Sequence, residues 1–285
     1  MNGLQKIELD MLKEVIGICE KLRLQYFLIC GSALGAVKYG GFIPWDDDVD
    51  IGLPREDYEV FLERGQALLP EHLFLQNYHT DLAFPQLYSK IRNIHTTFIE
   101  KSVARLPICH GVFIDIFPLD GYPGDDREAA RLERKKRIYE LRLACVYRPV
   151  GFSKSQMFFA MERTLGIHKR SGAILKRMEN LLSRYGTRTS RLWCNHAGWQ
   201  GKAEYMPREW YGQGVMAQFE GLNVRIPEKY DAYLTQKYGN WRRELPKSEQ
   251  IGHHSVEVAD LNRPYTDYLP RCPKGKNACP FRCRS

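Results

Sequence analysis

The N-terminal residues place apolar side chains at helical spacing. Charged residues separate apolar ones that recur three or four positions apart, at Leu9, Leu12, Ile16, Cys19 and Leu22. This pattern predicts an amphipathic helix with one buried face. Acidic residues from Glu8 onward argue against a signal peptide, and the longest early stretch without charge, 27–37, is far shorter than the roughly 20 apolar residues that span a bilayer. We therefore expect a cytoplasmic protein, or one that is peripheral at the inner membrane face.

The next segments alternate between strand and helix patterns. The apolar run at 26–30 predicts a short strand, Gly31 and Ser32 a turn, and the residues after them a helix. The sequence "DVDIGLP" predicts a second strand that closes at Pro54, and "REDYEVFLERGQALL" predicts another helix. The order is thus strand, Gly-Ser turn, helix, strand.

Two later segments also have strand character. The segment 85–100 alternates enough to be a strand or a hairpin, and 110–123 reads as a buried strand. The second segment carries a carboxylate, Asp115, with apolar residues on both sides. A lone acid in such surroundings costs several kcal/mol unless it is paired or bound to a metal. Asp115 therefore needs a partner.

Composition favours a folded chain. Its 285 residues are 44% hydrophobic and 27% charged, with 15 Pro and 23 Gly spread along the length, which predicts a soluble globular protein of one large or two small domains. The net charge of +8 comes largely from 127–148 and 168–191, both basic and helical in period. These helices are either a solvated face or a surface that meets anionic lipid headgroups or an anionic substrate. No nucleic-acid reader motif accompanies the charge, so we expect no nucleic-acid partner.

The eight cysteines form two groups. Five stand singly among apolar neighbours, as reduced core thiols do, at Cys19, Cys30, Cys109, Cys145 and Cys194. Three lie in a short basic tail rich in Pro, at Cys272, Cys279 and Cys283. The tail spacing matches no zinc pattern unless His253 or His254 supplies a fourth ligand, so we expect a disordered tail.

The stretch "WDDDVDIG", 45–52, places four carboxylates within five positions. An EF-hand calcium loop would need Gly at its sixth position and Glu at its twelfth, where this chain has Ile51 and Asp57. An acidic solvated turn is the other non-catalytic interpretation. However, Asp48 and Asp50 alternate with apolar residues, so on a strand they point to the same face.

These two carboxylates, joined by Asp115 from a neighbouring strand, can hold Mg²⁺. That hard cation accepts few protein carboxylates and completes its shell with water and substrate phosphates. Gly31 would let the backbone approach a phosphate, and the amides at the following helix N-terminus favour a phosphate oxygen. Asp46 and Asp47 are expected further out, where they shape the loop. The arrangement looks like the nucleotidyltransferase fold.

Longer stretches narrow the resemblance. The first is "GSALGAVKYGGFIPWDDDVDIGLPREDYEVF", followed by "KIRNIHTTFIE", "HGVFIDIFPLD", "FEGLNVRIPEKYDAYLTQKYGNW" and "IGHHS". Together they resemble the LicD family of phosphocholine transferases, to which the fukutin-related phosphoribitol transferases are similar, over about 9–255. The resemblance implies an α/β (α+β) fold: a nucleotidyltransferase-like mixed sheet core with flanking helices and a helical accessory region.

The resemblance also implies an activity. The family transfers a phosphorylated alcohol from a CDP-activated donor such as CDP-choline to a hydroxyl of a cell-surface glycan and releases CMP. Phosphocholine is the phosphorylated alcohol that we favour. The glycan would be of the teichoic acid or lipopolysaccharide type, free or lipid-linked. Carried onto this chain, the catalytic acids and metal ligands are Asp48, Asp50 and Asp115, with Mg²⁺ as cofactor and Mn²⁺ as a substitute.

The same resemblance suggests how the chain is divided. We predict one catalytic unit at 1–260, with a core at about 9–120, a basic helical region at about 125–190 and a C-terminal part of the family domain at about 191–260. The Cys- and Pro-rich basic tail, 261–285, lies outside the resemblance.

Further residues are candidates for donor binding and proton transfer. The donor's pyrophosphate needs cations and backbone amides beside the metal, and the candidates are Gly31, Ser32, Lys38, Arg55, Lys90 and Arg92. Each cation has a surface charge as its alternative. Three histidines are either general bases for the acceptor hydroxyl or caps of loops: His110, His253 and His254.

Other functional classes of protein were considered from the same sequence features. A kinase would carry a Gly-rich nucleotide loop, and neither GxGxxG nor GxxxxGK[ST] is present. A catalytically dead nucleotide-binding module would be expected to lose one of the three acids, and none is missing. A strict nucleotidyltransferase, which leaves a nucleotide monophosphate on the acceptor, shares the fold and is not separated by it.

The transferred alcohol is also left open. Choline would suit an aromatic cage, for which rings are available at Tyr78, Tyr88, Trp193, Trp199, Trp210 and Trp241. Ribitol or glycerol would need hydrogen-bonding groups instead.

Overall fold

The fold comes from a computed structural model that describes residues 1–147, 171–198 and 200–268. The helices are α1 (Gly3–Leu22), α2 (Cys30–Tyr39), α3 (Arg55–Arg64), α4 (Asp126–Tyr147), α5 (Ser171–Leu182), α6 (Arg208–Tyr211) and α7 (Tyr230–Tyr238). The first six strands are β1 (Phe27–Leu28), β2 (Asp50–Pro54), β3 (Leu73–Gln76), β4 (Ser89–Asn93), β5 (Thr97–Glu100) and β6 (Val112–Tyr122). The later strands are β7 (Leu192–Cys194), β8 (Tyr205–Pro207), β9 (Val215–Phe219), β10 (Leu222–Ile226) and β11 (Val256–Asp260).

Seven of these strands form one mixed sheet. Its order is β1-β2-β6-β4-β3, and β7 extends it by pairing with the last residues of β6 and with β8. Strands β2 and β6 run parallel, whereas the other pairs in this sheet are antiparallel. Two smaller pairs, β9 with β10 and β5 with β11, lie beside it. The predicted mixed sheet with flanking helices is confirmed.

Apolar side chains cover both faces of the central strand. All eleven positions of β6 are buried. Ile116 belongs to a cluster that includes Leu12 and Val15 of α1, whereas its neighbour Phe117 belongs to a second cluster with Trp193. Because successive strand residues point to opposite faces, a strand covered on both faces reads as a continuous apolar run, as the sequence does here.

Helix α1 confirms the predicted amphipathic pattern and also holds the acidic loop. Its apolar face is buried against the sheet. Asn2 and Gln5 form a capping box at its start, in which each side chain bonds the backbone of the other residue. The Gln5 amide also donates to the backbone carbonyls of Ile43 and Asp46, at 3.4 and 3.1 Å. The helix therefore fixes where the loop before β2 runs.

The segment 85–100 forms two strands that do not pair with each other. Strand β4 lies in the main sheet between β3 and β6, whereas β5 leaves the sheet and pairs with β11. The chain turns at Thr96, whose hydroxyl donates to the Asn93 carbonyl at 2.8 Å and accepts the Val112 amide at 2.9 Å. The hairpin alternative is therefore wrong, because β6 and β11 supply the partners.

The basic helices α4 and α5 pack on each other through apolar side chains. Leu132 and Leu143 of α4 meet Leu175, Met178 and Leu182 of α5 in a separate buried cluster. The part of the predicted basic region at 148–170 lies outside the described residues. No helix among residues 1–147, 171–198 and 200–268 combines the length and apolar character needed to cross a membrane.

The cysteines whose side chains the structure describes form no disulfide bonds. Cys19, Cys30, Cys109 and Cys194 are free thiols, as predicted. The side chain of Cys145 and the three tail cysteines lie outside the described residues. Packing continues past residue 260, since Tyr265 is buried against Phe74 and Cys109.

A buried ion pair joins the start of α3 to the end of β6. The Arg55 guanidinium donates to both carboxylate oxygens of Asp120, at 2.6 and 2.8 Å, and to Glu179 of α5 at 3.3 Å. The Arg55 and Asp120 side chains are 6% and 1% exposed. A two-pronged pair of this kind ties helix, sheet and accessory helices together.

We predict that Arg55→Met lowers the free energy of unfolding by about 3–5 kcal/mol, because it leaves the Asp120 carboxylate buried without its cation. Urea unfolding followed by circular dichroism measures the loss. Arg64→Met is the matched control, since Arg64 ends the same helix with a side chain 62% exposed. Equal stability of the two variants would contradict a structural role for Arg55.

Candidate active site

Strand register places two acidic residues side by side. Asp50 of β2 and Asp115 of β6 are direct partners in the parallel pair, and the Asp115 amide donates to the Val49 carbonyl at 2.8 Å. The backbone of Asp50 is held on its other side as well. Its carbonyl accepts the Ile29 amide at 3.0 Å, and its amide donates to the Ser32 hydroxyl at 2.8 Å. The sheet and the first turn of α2 together fix the two carboxylates.

Asp48 completes a group of three carboxylates. Asp48, Asp50 and Asp115 each offer an oxygen, and these oxygens lie within 4.8 Å of one another. Asp46, Asp47 and Asp48 form a second such group. Asp46 is buried and lines the same cleft, so it does not lie further out as the sequence suggested.

The acids line a cleft of about 390 Å³. A Cβ atom on Gly31 would come within 2.8 Å of an Asp46 oxygen, so this wall has no room for a larger residue. The other residues that line the cleft come from several parts of the fold: Cys30, Tyr88, Phe117, Asn195, Ala197, Gly198, Gln200, Glu204, Lys237, Tyr238, His253 and His254. Strands, α2, α7 and two late loops therefore converge on the acids.

Burial and mutual repulsion oppose ionisation of these acids. Burial, reinforced by the Asp46 charge, raises the pKa of Asp48 to about 7, and burial with Asp47 raises the pKa of Asp46 to about 6. Burial and Asp48 raise the pKa of Asp50 well above its usual range. Burial also raises the pKa of Asp115, against the opposing charge of Lys90. Such a cluster is stabilised by any cation that enters it.

The donor set fits a hard divalent cation. Three carboxylates with oxygens so close together are the ligands that Mg²⁺ accepts, and Asp115 Oδ1 is buried without a hydrogen-bond donor in the described part of the chain. Lys90 Nζ lies 3.0 Å from this oxygen but bonds the other one, Oδ2, at 3.4 Å. Asp115 Oδ1 is thus paired with the Lys90 ammonium, and a metal-ligand role for Asp115 stays a prediction.

Lys90 is the partner that the buried Asp115 needs. Its side chain is buried, lies over the Phe113 ring and also faces Glu100 at 3.7 Å. Burial alone would raise the pKa of Glu100, but Lys90 and Arg92 lower it to about 2. Lys90 thus neutralises acids behind the cleft rather than lining the cleft itself.

Two of the predicted phosphate-binding cations pair with other protein groups outside the cleft. Arg92 is fully buried and donates to the Gln76 side chain and the Gly111 carbonyl, both at 2.8 Å, besides its pairing with Glu100. Arg55 pairs with Asp120 at the far end of β2 from Asp50. The phosphate role predicted for Arg55 and Arg92 is wrong for this arrangement, because neither guanidinium reaches the cleft.

Lys38 and Ser32, which were predicted to bind the donor phosphates, hydrogen-bond protein groups instead. Lys38 Nζ donates to the carbonyls of Trp241 and Arg243, at 3.3 and 2.9 Å, and pairs with Glu244 at 3.1 Å. It therefore holds the loop after α7 and does not line the cleft. The Ser32 hydroxyl holds the Asp50 amide, which makes it a positioning group for the acid.

His110 is a structural residue rather than a base. Its side chain is fully buried outside the cleft, and its Nε2 hydrogen-bonds the Leu106 carbonyl at 3.1 Å. Burial lowers the pKa of His110 to about 4. The general-base role predicted for it is wrong, because this ring does not face the cleft.

Asp47 brings the two late histidines to the cleft. Its carboxylate accepts the backbone amides of His253 and His254, at 3.1 and 3.2 Å, and bonds His254 Nδ1 at 3.0 Å. Burial alone would lower the pKa of His254, but this bond to Asp47 raises it. Both histidines line the cleft, and Asp47 fixes the ring orientation of His254.

The cleft wall contains an ion pair that was not predicted from the sequence. Lys237 of α7 donates to both oxygens of Glu204 at 2.7 Å, and both side chains are buried. The "QKYGNW" segment that contains Lys237 belongs to the family resemblance, but a lone Lys gives no sign of a partner 33 positions away. Tyr88 is the one predicted ring that lines this cleft among the described residues, and Trp199 lies outside them.

The chain is similar in sequence to known proteins. Residues 23–138 match a family model described as the LicD/FKTN/FKRP nucleotidyltransferase domain. The lipopolysaccharide cholinephosphotransferase LicD of Haemophilus influenzae is 27% identical over 266 residues, which cover 89% of this chain and 96% of that protein. The human ribitol 5-phosphate transferase FKRP is 49% identical over 43 residues, 15% of this chain and 9% of its own.

The matched domain includes every acid of the cluster. Asp46, Asp47, Asp48, Asp50 and Asp115 all lie within residues 23–138. Residues 23–138 are thus similar to the LicD/FKTN/FKRP nucleotidyltransferase domain, and the resemblance seen in the sequence is confirmed over these residues.

We predict that Asp48→Asn stabilises the metal-free protein at pH 8. Since the pKa of Asp48 is about 7 in the fold and near 3.8 otherwise, the folded state binds more protons between these values, so stability falls as pH rises through this window. The variant lacks this effect. It should exceed the parent by roughly 2 kcal/mol at pH 8, a gap that shrinks below pH 7 and closes near pH 4.

Urea unfolding in a chelating buffer at pH 5 and pH 8 measures the gap. Asp10→Asn is the control, because the Asp10 side chain is 63% exposed and lies outside the acidic cluster. A parent and an Asp48→Asn variant of equal stability at pH 8 would show that Asp48 is not held against repulsion.

Proposed function

We propose that this protein is a phosphotransferase that moves a phosphorylated alcohol from an activated donor to a hydroxyl acceptor. The observation that carries the proposal is the group of Asp48, Asp50 and Asp115 in one cleft of a LicD-family domain. The relatives support the class of reaction, since one is named a cholinephosphotransferase and another a ribitol 5-phosphate transferase.

Phosphocholine is the alcohol phosphate that we favour. The cholinephosphotransferase relative aligns with 89% of this chain, whereas the ribitol phosphate transferase aligns with 15%. The donor would be CDP-choline or a related CDP-alcohol, the acceptor a glycan of the lipopolysaccharide or teichoic acid type, and the leaving group CMP. Phosphoribitol or phosphoglycerol transfer is the alternative within the same reaction class.

We infer that Asp48, Asp50 and Asp115 hold Mg²⁺, or Mn²⁺ in its place. When bound, the ion would supply positive charge to the donor phosphates and to the leaving phosphate. The chain's own residues prepare the site for it. Ser32 and Ile29 hold the Asp50 backbone, and Lys90 offsets the charge of Asp115.

His254 is our candidate for the group that accepts the proton of the acceptor hydroxyl. Asp47 hydrogen-bonds Nδ1 of His254 and so orients the ring. Nε2 is then the ring nitrogen that would accept the proton. Nε2 lies 3.8 Å from Glu100 Oε1. His253, an exposed residue of the same cleft wall, is the alternative base.

A strict nucleotidyltransferase is the second candidate function, because the fold serves both transfers. Two reactions separate them. One uses CDP-choline labelled separately in the choline and in the cytidine, and the other uses labelled CTP, each with a lipopolysaccharide or teichoic acid acceptor. Choline label on the acceptor and free CMP support the proposal. Cytidine label on the acceptor would establish the alternative.

Asp48→Asn, Asp50→Asn and Asp115→Asn should each lower the transfer rate by about 100-fold or more, because each keeps the shape of the side chain but removes a ligand charge. Initial rates of CMP release measure the effect. Asp10→Asn should retain the parent rate, and a chelator should abolish the parent's activity. Near-parent rates in all three site variants, or activity that survives chelation, would overturn the metal-centred mechanism.

The basic helices offer a surface for an anionic membrane. Lys135 and Arg142 of α4, Arg177 of α5 and Arg184 just after α5 line one groove of about 320 Å³. Ile138, also in this groove, is 46% exposed. Four cations beside an exposed apolar side chain suit the phosphates of a lipid surface, where a lipid-linked glycan acceptor would lie.

We predict binding to vesicles that contain phosphatidylglycerol but not to vesicles of phosphatidylcholine alone. Added salt should weaken the binding steeply, because exposed charges are screened beyond about 8 Å at physiological ionic strength. The double variant Arg177→Gln, Arg184→Gln should bind about tenfold more weakly in a co-sedimentation assay.

The double variant Lys13→Gln, Arg64→Gln removes the same charge outside the groove and should bind as the parent does. Equal binding to both vesicle types, or equal losses in the two double variants, would exclude this groove as the membrane contact.

A further inference from the structure

One wall of the acidic cleft is formed by the loop that follows β7. We call residues 195–198 and 200–204 the wall loop. Four of its residues line the cleft beside the acids: Asn195, Ala197, Gly198 and Gln200. The acids belong to β2, β6 and the loop before β2, so the width of the cleft depends on what holds the wall loop in place.

Several buried polar atoms of the wall loop lack a partner. Asn195 Nδ2, His196 Nε2 and Gln200 Oε1 have no hydrogen bond to the described part of the chain. Buried polar groups in folded proteins are normally hydrogen-bonded, because they lose their bonds to water. Three such atoms within six positions oppose this loop conformation. Contacts with other elements therefore have to hold the loop.

The ion pair of Glu204 and Lys237 is such a contact. Lys237 Nζ donates to both carboxylate oxygens of Glu204 at 2.7 Å, and the two side chains are 3% and 5% exposed for Lys237 and Glu204. Lys237 belongs to α7, and the hydroxyl of Tyr233 on the same helix accepts the Cys30 amide at 3.1 Å. The pair therefore joins the end of the wall loop to a helix that is itself bonded to the start of α2.

The cleft-lining part of the wall loop packs directly on this pair. A Cβ atom on Gly198 would come within 2.2 Å of the Glu204 carboxyl group, so the loop backbone lies against that group with no room for a side chain. Lys237 fixes the position of the carboxylate, and the carboxylate limits where Gly198 can lie. The ion pair thus determines the position of the wall that faces the acids.

We propose that Glu204 and Lys237 are a positioning pair for the transfer reaction. Neither side chain contacts the substrate in this role. The pair keeps the wall loop at a fixed distance from Asp48, Asp50 and Asp115, so that a substrate between the wall and the acids is held in line for reaction. A displacement of about 1 Å can lower a rate on the order of 100-fold. The inference rests on the proposed function, because it assumes that transfer takes place at these acids.

The double variant Glu204→Met, Lys237→Met tests the pair. Methionine is unbranched and flexible, and the double change removes both charges together, so that no unpaired charge stays buried. The variant should therefore unfold at about the same urea concentration as the parent. Amide hydrogen exchange followed by mass spectrometry should become about tenfold faster in the wall loop and stay unchanged in β2 and β6.

Steady-state kinetics separates a positioning role from a structural one. With CDP-choline as donor, the double variant should lose about tenfold or more in kcat, while KM stays within about threefold of the parent, because the bound substrates are no longer aligned. Calorimetric titration with Mn²⁺ alone should give the parent's affinity, since other contacts hold Asp48, Asp50 and Asp115. A loss of Mn²⁺ affinity would place the effect at the acids and overturn the role at the wall.

A second Lys–Glu pair at the start of α7 provides the matched control. Lys229 directly precedes the helix and pairs with Glu209 at 3.0 Å, with side chains 51% and 70% exposed, and both residues lie outside the cleft lining. Glu209→Met, Lys229→Met should leave wall-loop exchange and kcat at the parent's values. An equal loss of kcat in the control would overturn the inference.

Gly198→Ala is a second variant that keeps both charges. Its Cβ would displace the Glu204 carboxylate, so it should also speed exchange in the wall loop and lower kcat. This variant decides the question if the double methionine variant does not fold. The parent's kcat in Gly198→Ala, with faster exchange, would overturn the positioning role.

The outcomes separate this inference from the proposed function. Wall-loop exchange equal to the parent's would show that the pair does not position the loop, whatever the reaction is. Faster exchange with an unchanged kcat would reduce the pair to a structural contact and overturn the inference while the reaction stands. If exchange is faster but the parent transfers neither choline nor cytidine label, the positioning of the loop stands and the proposed reaction fails.

Discussion

The repulsion among carboxylates at the start of β2 is the constraint on which the other features of this protein depend. Asp46, Asp48, Asp50 and Asp115 face one cleft. Burial raises the pKa of each, and neighbouring acids of the cluster add to the shift for Asp46, Asp48 and Asp50. Without restraint from the fold, four such carboxylates would move apart or take up protons. The parallel register of β2 and β6, the α1 amide of Gln5 and the Ser32 hydroxyl hold it together.

The surrounding ion pairs show how the fold tolerates this charge. Lys90 lies behind Asp115, and Lys237 lies in the wall paired with Glu204. Asp47, beside Asp46 and Asp48, accepts the backbone amides of His253 and His254. The net result is a cleft that keeps its acids but places cations and histidines around them, which suits a ligand that carries both a metal ion and phosphates.

A neighbouring cavity of about 290 Å³ gives the site a second compartment of different chemistry. The cleft is acidic, whereas the cavity beyond Gln200 is aromatic and carries Lys38 and Arg243 on its wall. Lys38, which the sequence suggested as a phosphate ligand, contributes by holding the wall of that compartment.

The sequence by itself indicated the acid group, because the Asp48-x-Asp50 spacing and the apolar run around Asp115 are local patterns, although β2 begins at Asp50 and Asp48 lies just before it. The helix α1, the mixed sheet and the family were also readable from local patterns and quoted motifs. Only the tertiary structure decided the partners of the cations. Arg55 and Arg92 are bound to internal acids, and Lys237 meets Glu204, through contacts between residues distant in the chain. No local pattern encodes such pairs, because the local sequence around a basic residue does not show whether its partner is a phosphate or a buried carboxylate.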